Sequence, residues 1–247
     1  MNQTKKKNPL KRLLSMRGMG QVVTVTIGLI VLLVAFALIN PNFWSPTNRP
    51  NLLRQIAPIL IIGIAQSYVL ITGNIDLSIG SVVGMSTMVA ATLMSKGIMS
   101  PIPALLVTLL CCLLIGVLNG LLVAKFKLPP FIATLGGQWV YRGALKLLNN
   151  GATITLRGTI SDEALATLTY IGNGKFLGIP VPVYLVLVMA IALNLVLRHT
   201  VFGRSVYAVG SNAETAKMSG INVQKVKLLA QSITGLMAGM AGIVMLC

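Results

Sequence analysis

Seven apolar windows, at about 21–39, 54–72, 78–95, 102–124, 130–148, 181–197 and 228–247, fill most of the chain, and each is near the length a helix needs to cross a bilayer core. Short connections separate them and carry the expected breakers: Asn40-Pro41 through Pro50, Gly73 to Asp76, Gly97 to Pro103, Pro129-Pro130 and Pro180 to Pro182. Charged residues are only 10% of the chain, against roughly 25% in a soluble domain. With 55% hydrophobic residues and a mean hydropathy of +0.85, the expected fold is an all-α polytopic transmembrane helix bundle of about seven spans.

Orientation follows from the positive charges, because short cytoplasmic loops are enriched in Lys and Arg. With the N-terminus inside, thirteen Lys and Arg residues fall on the inner side and seven on the outer. The N-terminus is therefore expected in the cytoplasm, with residues 1–20 a basic arm and 21–247 a transmembrane domain whose longest inner loop is about 201–227. Ala35-Phe36-Ala37 mimics a signal cleavage site, yet the run before it spans about 18 residues, or roughly 27 Å of helix, which suits an anchor. The net charge of +16 is spread between apolar runs rather than along one stripe, so no nucleic-acid partner is expected. Cys111, Cys112 and Cys247 cannot make a disulfide framework, and His199 stands alone, so neither metal nor cofactor is expected.

The chain has no G-x-x-x-x-G-K-[ST] loop, no H-E-x-x-H and no G-x-S-x-G. It is expected to be no enzyme, and any pumping must draw on a partner protein or an ion gradient. Asp76 is the one acidic residue placed at membrane depth, where an unpaired carboxylate is costly. It reads either as a cap accepting backbone N–H bonds at the start of the third span or as a direct solute contact. Gln66, Asn119, Thr134 and Gln138 interrupt other spans and read as interhelical hydrogen-bond partners or as lining of a translocation pathway. The fifth window is the least apolar, so its polar face is expected to look inward. Gly80-x-x-x-Gly84, Gly116-x-x-x-Gly120 and Gly235-x-x-x-Gly239 are spaced for close helix approach. Between Asn149 and Ile179 a polar segment of about thirty residues is too short for a domain, and Ser161 followed by Asp162-Glu163 predicts a capped helix there.

In the 201–227 loop, Glu214-Thr215-Ala216-Lys217-Met218-Ser219-Gly220 resembles the cytoplasmic EAA-x-x-x-G element of ATP-binding-cassette importer permeases. Four ordered segments extend the likeness to the permeases of ribose-type sugar importers over about residues 50–247: Leu70 to Ser81, Asn119 to Gly136, Gly178 to Pro182, and Phe202-Gly203-Arg204 through Val223. The resemblance implies a permease of the inner (cytoplasmic) membrane that translocates a monosaccharide such as ribose. It also implies cytoplasmic ATP-binding subunits, a second permease copy or homologue, an extracytoplasmic solute-binding protein and lipid as partners. Glu214, Ala216 and Gly220, with Gly203 and Arg204, would couple to the ATPase. Asn74 stands where much of that family carries glycine, a departure expected to alter the turn before Asp76 and the choice of sugar. The stop at Cys247 inside an apolar run is expected of a C-terminally truncated permease, a non-transporting subunit being one consequence. Alternatives are a permease for a nucleoside or other small solute, and an ion-coupled secondary carrier.

Overall fold

A computed structural model describes residues 19–247, so the basic arm from Lys5 to Arg17 lies outside the described residues. The chain divides into two compact units at Asn51/Leu52. In the first, helix α1 (Met19–Ile39) has no buried residue and no charged one, and a helix apolar on every face is suited to lipid rather than water. It is followed by turns around Asn40 to Thr47 and by the first residues of α2 (Asn48–Ile71). The sequence assigns Pro50 to the connection. It instead sits in the first turn of α2, where its missing N–H would have had no helical partner.

The second unit continues with α3 (Ile79–Ser95), α4 (Pro101–Ala124), α5 (Pro130–Leu148), α6 (Asp162–Asn173), α7 (Val181–His199), α8 (Val201–Ser211), α9 (Ala213–Met218) and α10 (Val223–Leu246). The protein is an all-α polytopic bundle. Among the described residues five helices, α1, α2, α4, α7 and α10, are long and apolar enough to cross a membrane. Helix α3 is apolar but has 17 residues, and α5 is interrupted by polar groups.

Helix α10 is the axis of this unit, packed most extensively on α4 and next on α3. Small residues make that possible. A Cβ added at Gly116 would lie 2.6 Å from the Gln231 carbonyl and 3.0 Å from Gly235 Cα, so the two backbones are almost in contact. Cys112 fills the same seam beside Gly239 as a free, buried thiol. The Gly80-Gly84 pair does something else: nothing lies within 4 Å of a Cβ at Gly80, and Gly84 meets only a Leu145 methyl, at 3.4 Å. Helix α3 reaches α10 through Ser86 instead, whose hydroxyl donates to Gly239 O at 2.7 Å. Polar ties join the other helices, with Thr234 Oγ1 donating to Ala65 O (3.2 Å) and Tyr68 OH to Leu193 O.

The polar stretch after α5 holds α6, capped by Ser161 Oγ accepting from Ala164 N (3.3 Å) with Asp162 and Glu163 in the first turn, as its sequence predicts. A two-stranded antiparallel hairpin, β1 (Lys175–Phe176) and β2 (Ile179–Pro180), follows it. Its turn residues Leu177 and Gly178 both have positive φ, the geometry that fits hairpin twist.

Candidate functional site

Two regions collect the residues that the sequence singles out. The first is the break between α2 and α3. Helix α2 closes with Gly73 N–H on Leu70 O (3.0 Å) and Asn74 N–H on Val69 O (3.1 Å), a Schellman pair that requires the left-handed residue at Gly73, where φ is +76°. The special backbone geometry thus falls on Gly73, and Asn74 needs none of glycine's freedom. Its amide donates to Thr72 Oγ1 at 3.0 Å, and it is buried.

From Asn74 to Ser78 the chain is neither helix nor strand, yet Asn74, Asp76 and Ser78 are all buried. Irregular backbone at such depth survives only when other groups in the protein satisfy it. Side chains do so here. Gln66 Nε2 donates to Asp76 O (3.1 Å), and Thr134 Oγ1 accepts from Leu77 N (3.1 Å). Two residues that read as span interruptions therefore stand in for the missing helical partners.

The Asp76 carboxylate accepts Ser78 N–H (2.8 Å) and the Ser78 hydroxyl (2.7 Å) on the same oxygen, Oδ1. It thus accepts the backbone bond expected of a cap, but from the N-cap residue Ser78, one step before the helix begins. Ser78 Oγ in turn accepts from Asn119 Nδ2 (2.8 Å), and Asn119 Oδ1 accepts from Tyr141 OH (2.7 Å). Every donor in this chain points towards Asp76, so a charged terminal acceptor strengthens each bond in the series. It ties the break to α4 and α5. Thr134, Gly137 and Tyr141 form the inward face of α5, whereas Gly136 and Arg142 are exposed and Gln138 is half-buried outside the network.

The second region is the α8–α9–α10 connection. Thr200 ends α7 and caps α8, its Oγ1 accepting from Gly203 N at 3.1 Å. Gly203 is buried against the Val196 and Leu197 carbonyls, where a Cβ would clash, and Arg204 beside it is exposed. Asn212 Oδ1 caps α9 by accepting from Thr215 N (2.9 Å). The helix then closes with Gly220 N–H on Lys217 O and Ile221 N–H on Ala216 O, each 3.0 Å. This is a second Schellman pair, and Gly220 takes the left-handed position with φ +82°.

Six residues of helix would not hold in isolation. Ala216 anchors them: it is buried with Val206, Val209 and Val226, and Ile221 packs on that cluster. Glu214 in the first turn and Lys217 in the last suit the helix dipole and remain exposed. The result is a short, fixed knob whose buried side is apolar and whose outer side is charged. Beside it a cavity of about 740 Å³ opens between the α4–α5 turn and the α9–α10 turn, lined by Lys127, Glu214, Lys217, Gly220 and Lys227 among others.

The family model described as "Branched-chain amino acid transport system / permease component" matches residues 48–247. The chain belongs to that permease family. Among curated relatives of the permease, a ribose import permease protein of Bacillus subtilis is 36% identical over 219 residues, covering 89% of this chain and 66% of the relative. An L-arabinose ABC transporter permease protein of Azospirillum brasilense is 33% identical, covering 92% of this chain and 66% of its own. A galactofuranose transporter permease protein of Escherichia coli K12 is 33% identical, with 96% and 68% covered. The permease chain thus spans about two thirds of the length of these relatives. No solved structure matches it.

Ser78 and Tyr141 join the Asp76 network although neither was a candidate site residue of the sequence. Ser78 lies in the Leu70–Ser81 segment already singled out, and Tyr141 sits one turn beyond Gln138, so both were within reach of spacing alone.

Proposed function

We propose that this chain is the membrane-spanning permease subunit of an ATP-binding-cassette importer of the inner membrane, passing a monosaccharide inwards while ATP is hydrolysed on separate subunits. The observation that carries the reading is α9: a capped, Schellman-closed helix fixed to the end of an apolar bundle by Ala216, with its charged side free. Such a knob transmits a push from a soluble partner to α10 through the short Ser219–Asn222 turn. The names of the relatives, for ribose, L-arabinose and galactofuranose, support a sugar as cargo. Cytoplasmic ATP-binding subunits, a second permease copy or homologue and an extracytoplasmic solute-binding protein complete the assembly in this reading, and nucleic acid has no part in it. Residues 1–20 form its basic cytoplasmic arm and 201–227 its coupling loop, with Gly203 and Arg204 setting the angle of α8. Gln66, Asp76, Asn119 and Thr134 hold the re-entrant break beside the pathway, and Gln138 faces it from α5.

Gly220 gives a clean test. A Cβ there meets nothing within 4 Å, so Gly220→Val strains only the left-handed turn, at a cost of about 1 kcal/mol or more. The bundle should fold, while co-purification of the ATP-binding subunit and ATP-driven uptake of D-ribose or L-arabinose both fall. Unchanged values of both would remove α9 from the coupling path.

The orientation is tested separately. In a background with the native cysteines replaced by alanine, Ser211→Cys should react with an impermeant maleimide only from the cytoplasmic side, and Lys175→Cys only from outside. Reversed labelling at either position would overturn the N-inside arrangement.

A further inference from the structure

Three buried polar groups in the bundle are not satisfied by the network around Asp76. Gln66 Oε1, Ser81 Oγ and both amide atoms of Gln231 are buried without a hydrogen-bond partner. Gln231 is 0% exposed and Ser81 3%, so neither borrows bonds from the surface.

Their neighbours bring them to the same level of the bundle. Ser81 follows Ser78 by one turn on α3, and Gln66 is already bonded to the Asp76 carbonyl. The Cβ of Gln231 lies 3.3 Å from the point a Cβ would take at Gly120, the residue after Asn119. One turn further along α10, Thr234 bonds to Ala65, the residue before Gln66. Three helices, α2, α3 and α10, thus bring unused acceptors and donors towards the break, beside Gly120 of α4. Asp76 adds to them, because both of its bonds use Oδ1.

A buried amide with none of its bonds made is strongly disfavoured, and native interiors keep few such groups without a use for them. The set here is mixed, with amide and carboxylate oxygens to accept, and an amide and a hydroxyl to donate. None of these side chains is a cation, which disfavours an anionic ligand. A hydroxyl both donates and accepts, so several hydroxyls on one small carbon frame match the set.

We infer that Gln231, Ser81 and Gln66 form an intramembrane recognition site for the hydroxyl groups of a neutral polyol, reached when α10 moves against α3. The inference rests on the permease reading and names where its cargo is held in passage. The mechanical link is short: α9 leads into α10 within four residues, and Gln231 sits about two turns inside α10, so a push on α9 displaces the helix that carries the amide.

The test uses the complete transporter, assembled with its ATP-binding subunits and reconstituted in proteoliposomes, with labelled D-ribose and L-arabinose as probes. Gln231→Leu keeps the volume and removes the amide. It should assemble and hydrolyse ATP as wild type does, while sugar moved per ATP falls at least about tenfold, as the loss of one or two hydrogen bonds in passage implies. Ser81→Ala, a smaller change, should lower the same ratio severalfold and alter the preference between the two sugars. It decides the matter if Gln231→Leu fails to fold. A wild-type ratio and preference in both variants, or a lowered melting temperature with an unchanged ratio, would overturn the site and leave the permease reading intact. Wild-type transporter that moves neither sugar under ATP would instead overturn the permease reading, and the polyol site with it.

Discussion

Asp76→Leu is expected to leave little protein in the membrane, whereas Asp76→Asn accumulates close to the wild-type level. Leucine removes the acceptor on which two donors converge, and stranding the Ser78 N–H and hydroxyl costs about 1–3 kcal/mol for each buried group. The loss propagates, because Ser78 Oγ is also what holds Asn119, and Asn119 holds Tyr141. Asparagine keeps a side-chain oxygen at the same reach, so Ser78 can still donate to it and the break between α2 and α3 keeps its shape. Membrane yield and uptake measured for both variants separate structure from transport. Normal yield with abolished uptake in Asp76→Asn would show that the charge itself acts on the cargo or a gate, and would sink the structural account of Asp76.

Gly116→Leu is expected to abolish the assembled bundle. Its Cβ alone would meet α10 backbone at 2.6 Å, 3.0 Å and 3.1 Å, and backbone cannot yield as the end of a flexible side chain can. Overpacking a fitted core costs about 1–3 kcal/mol, and here the whole α4–α10 seam must separate, so the cost lies at or above the upper end. Gly80→Ala is the control. It has the same small-x-x-x-small spacing but nothing within 4 Å of the new Cβ, so it should be neutral or slightly stabilising. Monodispersity after detergent extraction reads both variants, and a well-behaved Gly116→Leu would mean that the two helices do not pack as closely as described.

The seven apolar windows were legible in the sequence because a membrane helix is defined by length and apolarity, which are local properties. Each became a helix, with ends shifted by a residue or two except at Asn48, where proline in a first turn imitates a breaker, and at Val223, where the first turn is polar. The cap at Ser161 and the stop at Gly220 were legible for the same reason, since a cap is completed within one turn of chain. Gln66, Asp76, Asn119 and Thr134 could be picked out as costly polar residues in apolar runs, but not what they bond to. Their partners lie up to 59 residues away, in the contact of Thr134 with Ile75 O.

Identical spacing of glycines at 80/84 and 116/120 carries no sign of which pair lies against another backbone. That depends on where α10 runs. Asn74 shows the same division in reverse: the position needs none of glycine's backbone freedom, because the left-handed residue is Gly73. Sequence alone determined the elements, since hydropathy and capping act over one helix or one turn. Only the tertiary structure decided which polar groups meet at the α2–α3 break and which stay unsatisfied there, because a buried hydrogen bond depends on atoms that distant helices bring within 3 Å.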